Sequence, residues 1–192
     1  MKSIRTEILS IIGGLSIVFG IILANNINHV YLSPLMFSLG IIFTIILGLD
    51  LITKAIPTCR SWRDCVIIGY YNLLTAFAAG VFLRWTGNFP QIISLSWETF
   101  AGAIGTGIII GLVGLSNKEK TSYTVPVTFM LMFSFVYLKL PHCVVSAFYL
   151  GAISGAGAFF PSLLGFSAVL LGNIIGGLII RGSYSLIKAV KE

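Results

Sequence analysis

Long apolar runs separated by short polar segments dominate this chain, and each run is close to the length of a membrane-crossing helix. About 20 apolar residues cover the roughly 30 Å of bilayer hydrocarbon. The first run spans about Leu9 to Ala24, the second about Pro34 to Thr53, the third about Cys65 to Leu83. The fourth, about Phe100 to Leu115, is rich in glycine; a fifth begins near Tyr123, and the last ends near Lys188. The first run has no small-residue cleavage site ahead of a polar region, so it is expected to stay as the first span rather than leave as a signal peptide.

Between Tyr123 and Lys188 only Lys139, His142 and Arg181 can carry charge, so hydropathy alone permits two or three crossings there. Charge placement decides. Lys2 and Arg5 precede the first run, Lys54, Arg60 and Arg63 follow the second, Lys118 and Lys120 follow the fourth, and Lys188 and Lys191 close the chain. The segment Asn25–Ser33 carries neither lysine nor arginine. Basic residues collect on the cytoplasmic side of short loops. Six crossings with both termini cytoplasmic satisfy that bias, leaving Arg84 and Lys139 outside as exceptions, whereas seven would send the basic C-terminus outward.

Composition agrees. Of 192 residues, 57% are hydrophobic and 9% charged, against roughly 45–50% and 25% in soluble chains. The mean hydropathy is +1.00. The formal charge of +6 is scattered in ones and twos, which suits topology signals better than a nucleic-acid arm. An all-α integral membrane protein is expected, a single transmembrane domain over 1–192 in contact with lipid and with no nucleic-acid partner. Three cysteines, Cys59, Cys65 and Cys143, show no CxxC or metal-ligand spacing, so neither a disulfide framework nor a metal is expected.

The fifth run raises a question of length. Tyr123 to Leu150 is 28 residues, about 42 Å as one helix, and Pro141 lies inside it. Proline removes a helical hydrogen bond and clashes with the preceding turn, so a break is expected near Leu140–Pro141. His142 follows directly. It is either a buried histidine bonded to a neighbouring helix or a pore histidine, since polar groups in a bilayer usually face a cavity and imidazole can share a proton near neutral pH. His29, among Asn25, Asn26 and Asn28, reads as surface.

Asp50, near the end of the second run, could serve as a cation or proton site or could cap backbone exposed at an interruption there. No second carboxylate lies within a run, which argues against a metal-cation carrier. Thr53 can donate a hydrogen bond from the same turn. Thr106, between Gly105 and Gly107, is placed to face a lumen or a close helix. Gly107/Gly111 and Gly172/Gly176 each share one helix face and predict close helix packing. Asn72 in YNLLTAFAAG (71–80) and Asn173 in GNIIGGLIIRG (172–182) stand in similar surroundings, as do LGLDLIT (47–53) and KLPHCVV (139–145). Two three-helix halves with interrupted middle helices are expected to build a site at their interface. No nucleotide, zinc-hydrolase or nucleophile-elbow motif occurs. No enzyme and no cofactor is expected.

Taken together, LLGNIIGG (170–177), LGLDLIT (47–53), LPHCVVSAFYL (140–150) and YYNLL (70–74) resemble, in order, motifs of the formate/nitrite transporters over nearly the whole chain. The resemblance implies an aquaporin-like protomer of two inverted halves with helices two and five interrupted, assembled as a homopentamer with a pore in each copy. It implies that His142 stands in the pore between two apolar constrictions, and that Thr53, with Asp50, Leu51 and Ile52, belongs to the segment at the cytoplasmic constriction. Thr106 matches an asparagine of the family's fourth span. Small monovalent weak-acid anions of the formate, nitrite, lactate or hydrosulfide type are the implied substrates, with or without a proton, and a bacterial-type plasma membrane the implied location. The chain departs from the family where ELFTG becomes DLITK, placing Ile52 for phenylalanine and Lys54 for glycine. It departs again where EHSVAN becomes PHCVVS, placing Pro141 for the acid and Ser146 for asparagine. A six-span carrier of another small carboxylate or of a neutral solute, and a non-transporting membrane structural protein, are the alternatives. A polar strip through Asp50, Thr53, Thr106 and His142 favours a pore.

Overall fold

The computed structural model describes residues 2–59, 61–86, 93–119 and 122–191, and Lys120 lies outside them, as does Arg60. Within these residues the chain forms α1 (Lys2–Asn25), α2 (Leu32–Ile46), α3 (Ile52–Ala55) and α4 (Trp62–Leu83). It continues as α5 (Trp97–Glu119), α6 (Thr124–Tyr137), α7 (Cys143–Ala152) and α8 (Phe159–Lys191). Four of these, α1, α4, α5 and α8, are long and apolar enough to cross a membrane. The second and fifth apolar runs of the sequence are each divided between two shorter helices, α2 with α3 and α6 with α7.

Both divisions end the first helix with the same hydrogen-bond motif. After α2, Gly48 N–H donates to Ile45 O and Leu49 N–H to Thr44 O (3.1 and 2.8 Å), with Gly48 at φ +64°. After α6, Lys139 N–H donates to Val136 O and Leu140 N–H to Phe135 O (2.9 and 3.1 Å), with Lys139 at φ +54°. This is the Schellman closure, which satisfies carbonyls that a helix end would otherwise leave bare. The second break therefore begins at Leu138–Lys139, ahead of the position expected at Leu140–Pro141. Proline clashes with the turn before it and cannot extend the helix, so α6 closes two residues earlier. A left-handed conformation costs an L residue roughly 1–2 kcal/mol, and Lys139→Gly should raise the melting temperature by a few degrees in a detergent melting assay.

The outward faces are greasy and the interior holds the polar groups. Ile8, Leu15 and Phe19 of α1, Val66 and Tyr70 of α4, and Phe160, Leu164 and Leu171 of α8 are exposed, while Ser38, Thr44, Thr53, Asn72, Thr106, Thr128, His142 and Asn173 are buried. Apolar outer faces around a core that is itself mainly apolar but encloses these polar groups suit helices surrounded by lipid, where backbone and polar groups must be satisfied inside. The most extensive contacts join α5 to α8, α4 to α7, and α1 to both α2 and α4. Small residues set these crossings. A methyl on Gly107 would strike the Asn173 backbone, one on Gly176 the Ile104 carbonyl, and one on Gly172 the Ala103 side chain; Gly111 abuts Ile180. The close packing expected of these two glycine pairs is thus between α5 and α8.

The expectation for the cysteines fails. Cys59 and Cys65 form a disulfide across a separation of six residues, joining the turn after α3 to the first turn of α4. Spacing alone does not reveal it, because the six-residue loop closes only when the turn and Ser61, the N-cap of α4, fold the chain back. Cys143 is a buried free thiol.

Candidate functional site

Each break is held by an asparagine from a long helix. Asn72 of α4 donates from Nδ2 to Ser10 O of α1 (2.6 Å) and to Asp50 O (3.1 Å), and its Oδ1 accepts from Ile52 N–H (2.7 Å). Asn173 of α8 donates from Nδ2 to Ala103 O of α5 (2.8 Å) and to Pro141 O (3.2 Å), and its Oδ1 accepts from Cys143 N–H (2.9 Å). The carboxamide is suited to this task because it offers two donors and an acceptor on one rigid plane. Each one bridges the peptide groups on either side of a single extended residue, Leu51 in the first half and His142 in the second. The structure thus makes Leu51 and His142 equivalent positions.

Of the two roles open to Asp50, capping is not the one the structure gives it. The N-cap of α3 is Leu51, without a side-chain hydrogen bond, and the orphan Ile52 N–H is satisfied by Asn72 instead. Neither asparagine is among the expected site residues. Their signal was the recurrence of Asn72 and Asn173 in like surroundings, which marked a repeat but not a role.

The two breaks meet through Thr53 and His142. Thr53 Oγ1 lies 3.2 Å from His142 Nε2 across 89 residues of sequence, both side chains buried. His142 is 2% exposed, and the Phe135 ring sits edge-on at 6.0 Å. Among the described residues its Nδ1 has no hydrogen-bond partner. A buried polar atom without a partner costs about 1–3 kcal/mol, and Thr128 Oγ1 is in the same position. The imidazole also precedes α7, whose N-terminus adds partial positive charge.

Thr106 is fully buried and donates to Gly102 O of its own helix (3.2 Å). The same helix face abuts the second break, since a methyl at Gly102 would touch Pro141 and one at Gly105 would touch Leu140. Ile52 packs on Gly69. Lys54 returns to the first break, where its ammonium donates to Leu49 O and, at 3.3 Å, to Thr44 O. A glycine could not tie α2 to α3 in this way. A cleft of about 510 Å³ opens beside this break, bordered by Leu47, Gly48, Asn117 and Thr124. Among the described residues no cluster of His, Cys, Asp or Glu is placed to hold a metal ion.

No sequence-family profile matches the chain, and no curated protein matches it by sequence. Solved structures do match in three dimensions. One is a pentameric formate channel with formate bound, at 18% identity and a TM-score of 0.68, over 98% of this chain and 98% of that one. Another is described as an FNT family ion channel, at 14% identity and a TM-score of 0.71, over 96% of this chain and 89% of that one. Both are channels rather than enzymes, and this all-helical chain is similar to them over almost its whole length: it has the fold of the formate channels.

Proposed function

We propose that the chain is a membrane pore for a small monovalent weak-acid anion of the formate, nitrite, lactate or hydrosulfide class, with His142 as its polar centre. The observation that carries this reading is the unpartnered Nδ1 of a buried histidine, placed where two broken helices meet. The fold shared with a formate channel supports it. An anion entering an apolar neck loses hydration worth several kcal/mol or more, and a neutral acid loses far less. Leu51, buried at the position equivalent to His142, supplies apolar surface at the first break, and the histidine supplies a hydrogen bond or a proton between apolar surroundings. If the proton travels with the anion, transport is electroneutral; if not, the same path conducts.

The single domain crosses the bilayer six times in this reading, α2 with α3 and α6 with α7 each completing one crossing as interrupted helices of two inverted halves. Both termini and the Cys59–Cys65 loop face the cytoplasm of a bacterial-type plasma membrane. Five copies assemble, as in the neighbour's name, through the apolar outer faces. Liposomes containing the purified protein should take up formate, nitrite, lactate or hydrosulfide faster than empty liposomes, and the same preparation should have the native mass of five chains. Uptake indistinguishable from empty vesicles for all four anions sinks the transport reading.

A further inference from the structure

We propose that Cys59 and Cys65 form a thiol–disulfide exchange site that reversibly ties the end of α3 to the start of α4, and that it reacts with low-molecular-weight thiols. Lys54, Arg60 and Arg63 surround the pair in sequence, and in the topology proposed above it faces the cytoplasm. Bridges in that compartment are rare in mesophiles, and those that form are usually transient. A cross-link found there needs a reason to open.

The geometry around the two sulfurs suits exchange and distinguishes them. Cys59 is half-buried, whereas Cys65 is 4% exposed. Arg181 of α8 brings Nη1 to 3.4 Å from Cys59 Sγ, and its guanidinium is held by Ile56 O (3.2 Å) and by the Trp62 ring at 4.8 Å. Cys65 lies in the first turn of α4, behind the Ser61 cap. Cationic side chains and helix N-termini both stabilise thiolates.

The chemistry follows. An external thiolate attacks Cys59 Sγ; the new S–S bond forms as the Cys59–Cys65 bond breaks, and the electron pair leaves on Cys65, at the α4 N-terminus. A second external thiolate attacks its predecessor's sulfur in the mixed disulfide and releases Cys59 as a thiolate beside Arg181. Both cysteines then take up protons from water. Two external thiols are oxidised to one disulfide as the protein disulfide is reduced to two thiols. Opening removes the covalent link between the turn that follows Thr53 and the helix that carries Asn72.

The purified, folded protein should be treated with millimolar reduced glutathione and its free thiols counted by alkylation and mass spectrometry. Cys59 and Cys65 should be blocked before treatment, become alkylatable during it, and close again with oxidised glutathione, while buried Cys143 stays unlabelled. The transient glutathione adduct should map to Cys59. Arg181→Met should slow release of Cys59 from its glutathione adduct roughly fivefold through loss of the cation beside the leaving thiolate, and Arg181→Lys should recover much of the rate. A bridge that opens only in denaturant, thiols free before treatment, an adduct confined to Cys65, or an Arg181→Met rate equal to the parent's would each overturn the proposal. The exchange is read on the protein itself, so it stands or falls separately from anion uptake.

Discussion

Asn173→Ala should lower the melting temperature of the solubilised protein by about 6 °C or more. Truncation removes both donors and the acceptor at the second break, leaving Ala103 O, Pro141 O and Cys143 N–H without the partner they share. Each orphaned buried group costs roughly 1–3 kcal/mol, and water from solvent cannot easily reach a side chain that is fully buried. For a domain of this size 1 kcal/mol moves the midpoint about 2–4 °C. Asn72→Ala should behave alike, because the three bonds at the first break have the same pattern. An exposed substitution such as Ser185→Ala serves as the reference. If Asn173→Ala melts within 2 °C of that reference, by about the scatter expected of surface changes, the asparagine is not what holds the break.

His142→Phe should abolish most anion uptake while leaving the protein assembled. Phenylalanine keeps the ring bulk, and the α5–α8 and α4–α7 crossings depend on glycines elsewhere. What goes is the one buried imidazole, whose Nδ1 is unsatisfied by the protein. A hydrogen bond to a charged group is worth about 1.5–3 kcal/mol, which converts to a loss of roughly tenfold to a hundredfold in uptake. Thr53→Val separates the two nitrogens of the ring. It removes the Nε2 partner but leaves Nδ1 available, so it should reduce uptake less than His142→Phe. The assay is liposome uptake of each anion between about pH 5 and 8, the range in which an imidazole ordinarily titrates. Uptake by assembled His142→Phe equal to the parent's throughout that range would make His142 a structural histidine.

The parts of this architecture legible in the chain are those that the bilayer imposes residue by residue. Apolar runs of helical length show directly because hydrocarbon offers no partner for a polar group, and α1, α4, α5 and α8 lie where those runs are. The breaks were half legible. Pro141 announces the second, yet the helix ends four residues ahead of it at Tyr137, and the first is set by Gly48, one glycine among 21. Glycine pairs four apart signalled close packing because helical periodicity alone puts them on one face.

Bonds between distant segments were not legible. Thr53 meets His142 across 89 residues, and Asn173 reaches Ala103 across 70. Local pattern carries no information about which helix faces which, so Asn72 and Asn173 stood out as a repeat without a task. Asp50 had the right chemistry for a cap, but Asn72 reaches the same N–H from α4 with an acceptor and two donors, and the carboxylate is left out. Cysteine spacing was silent for the same reason: Cys59 and Cys65 are brought together by the turn after α3 and the Ser61 cap, and Arg181 arrives from α8, 122 residues further on than Cys59. The sequence by itself determined where the chain must be apolar and helical and, through Pro141, that its fifth run must break. Only the tertiary structure decided which polar side chains satisfy the breaks, because that depends on long-range helix packing and the directionality of hydrogen bonds.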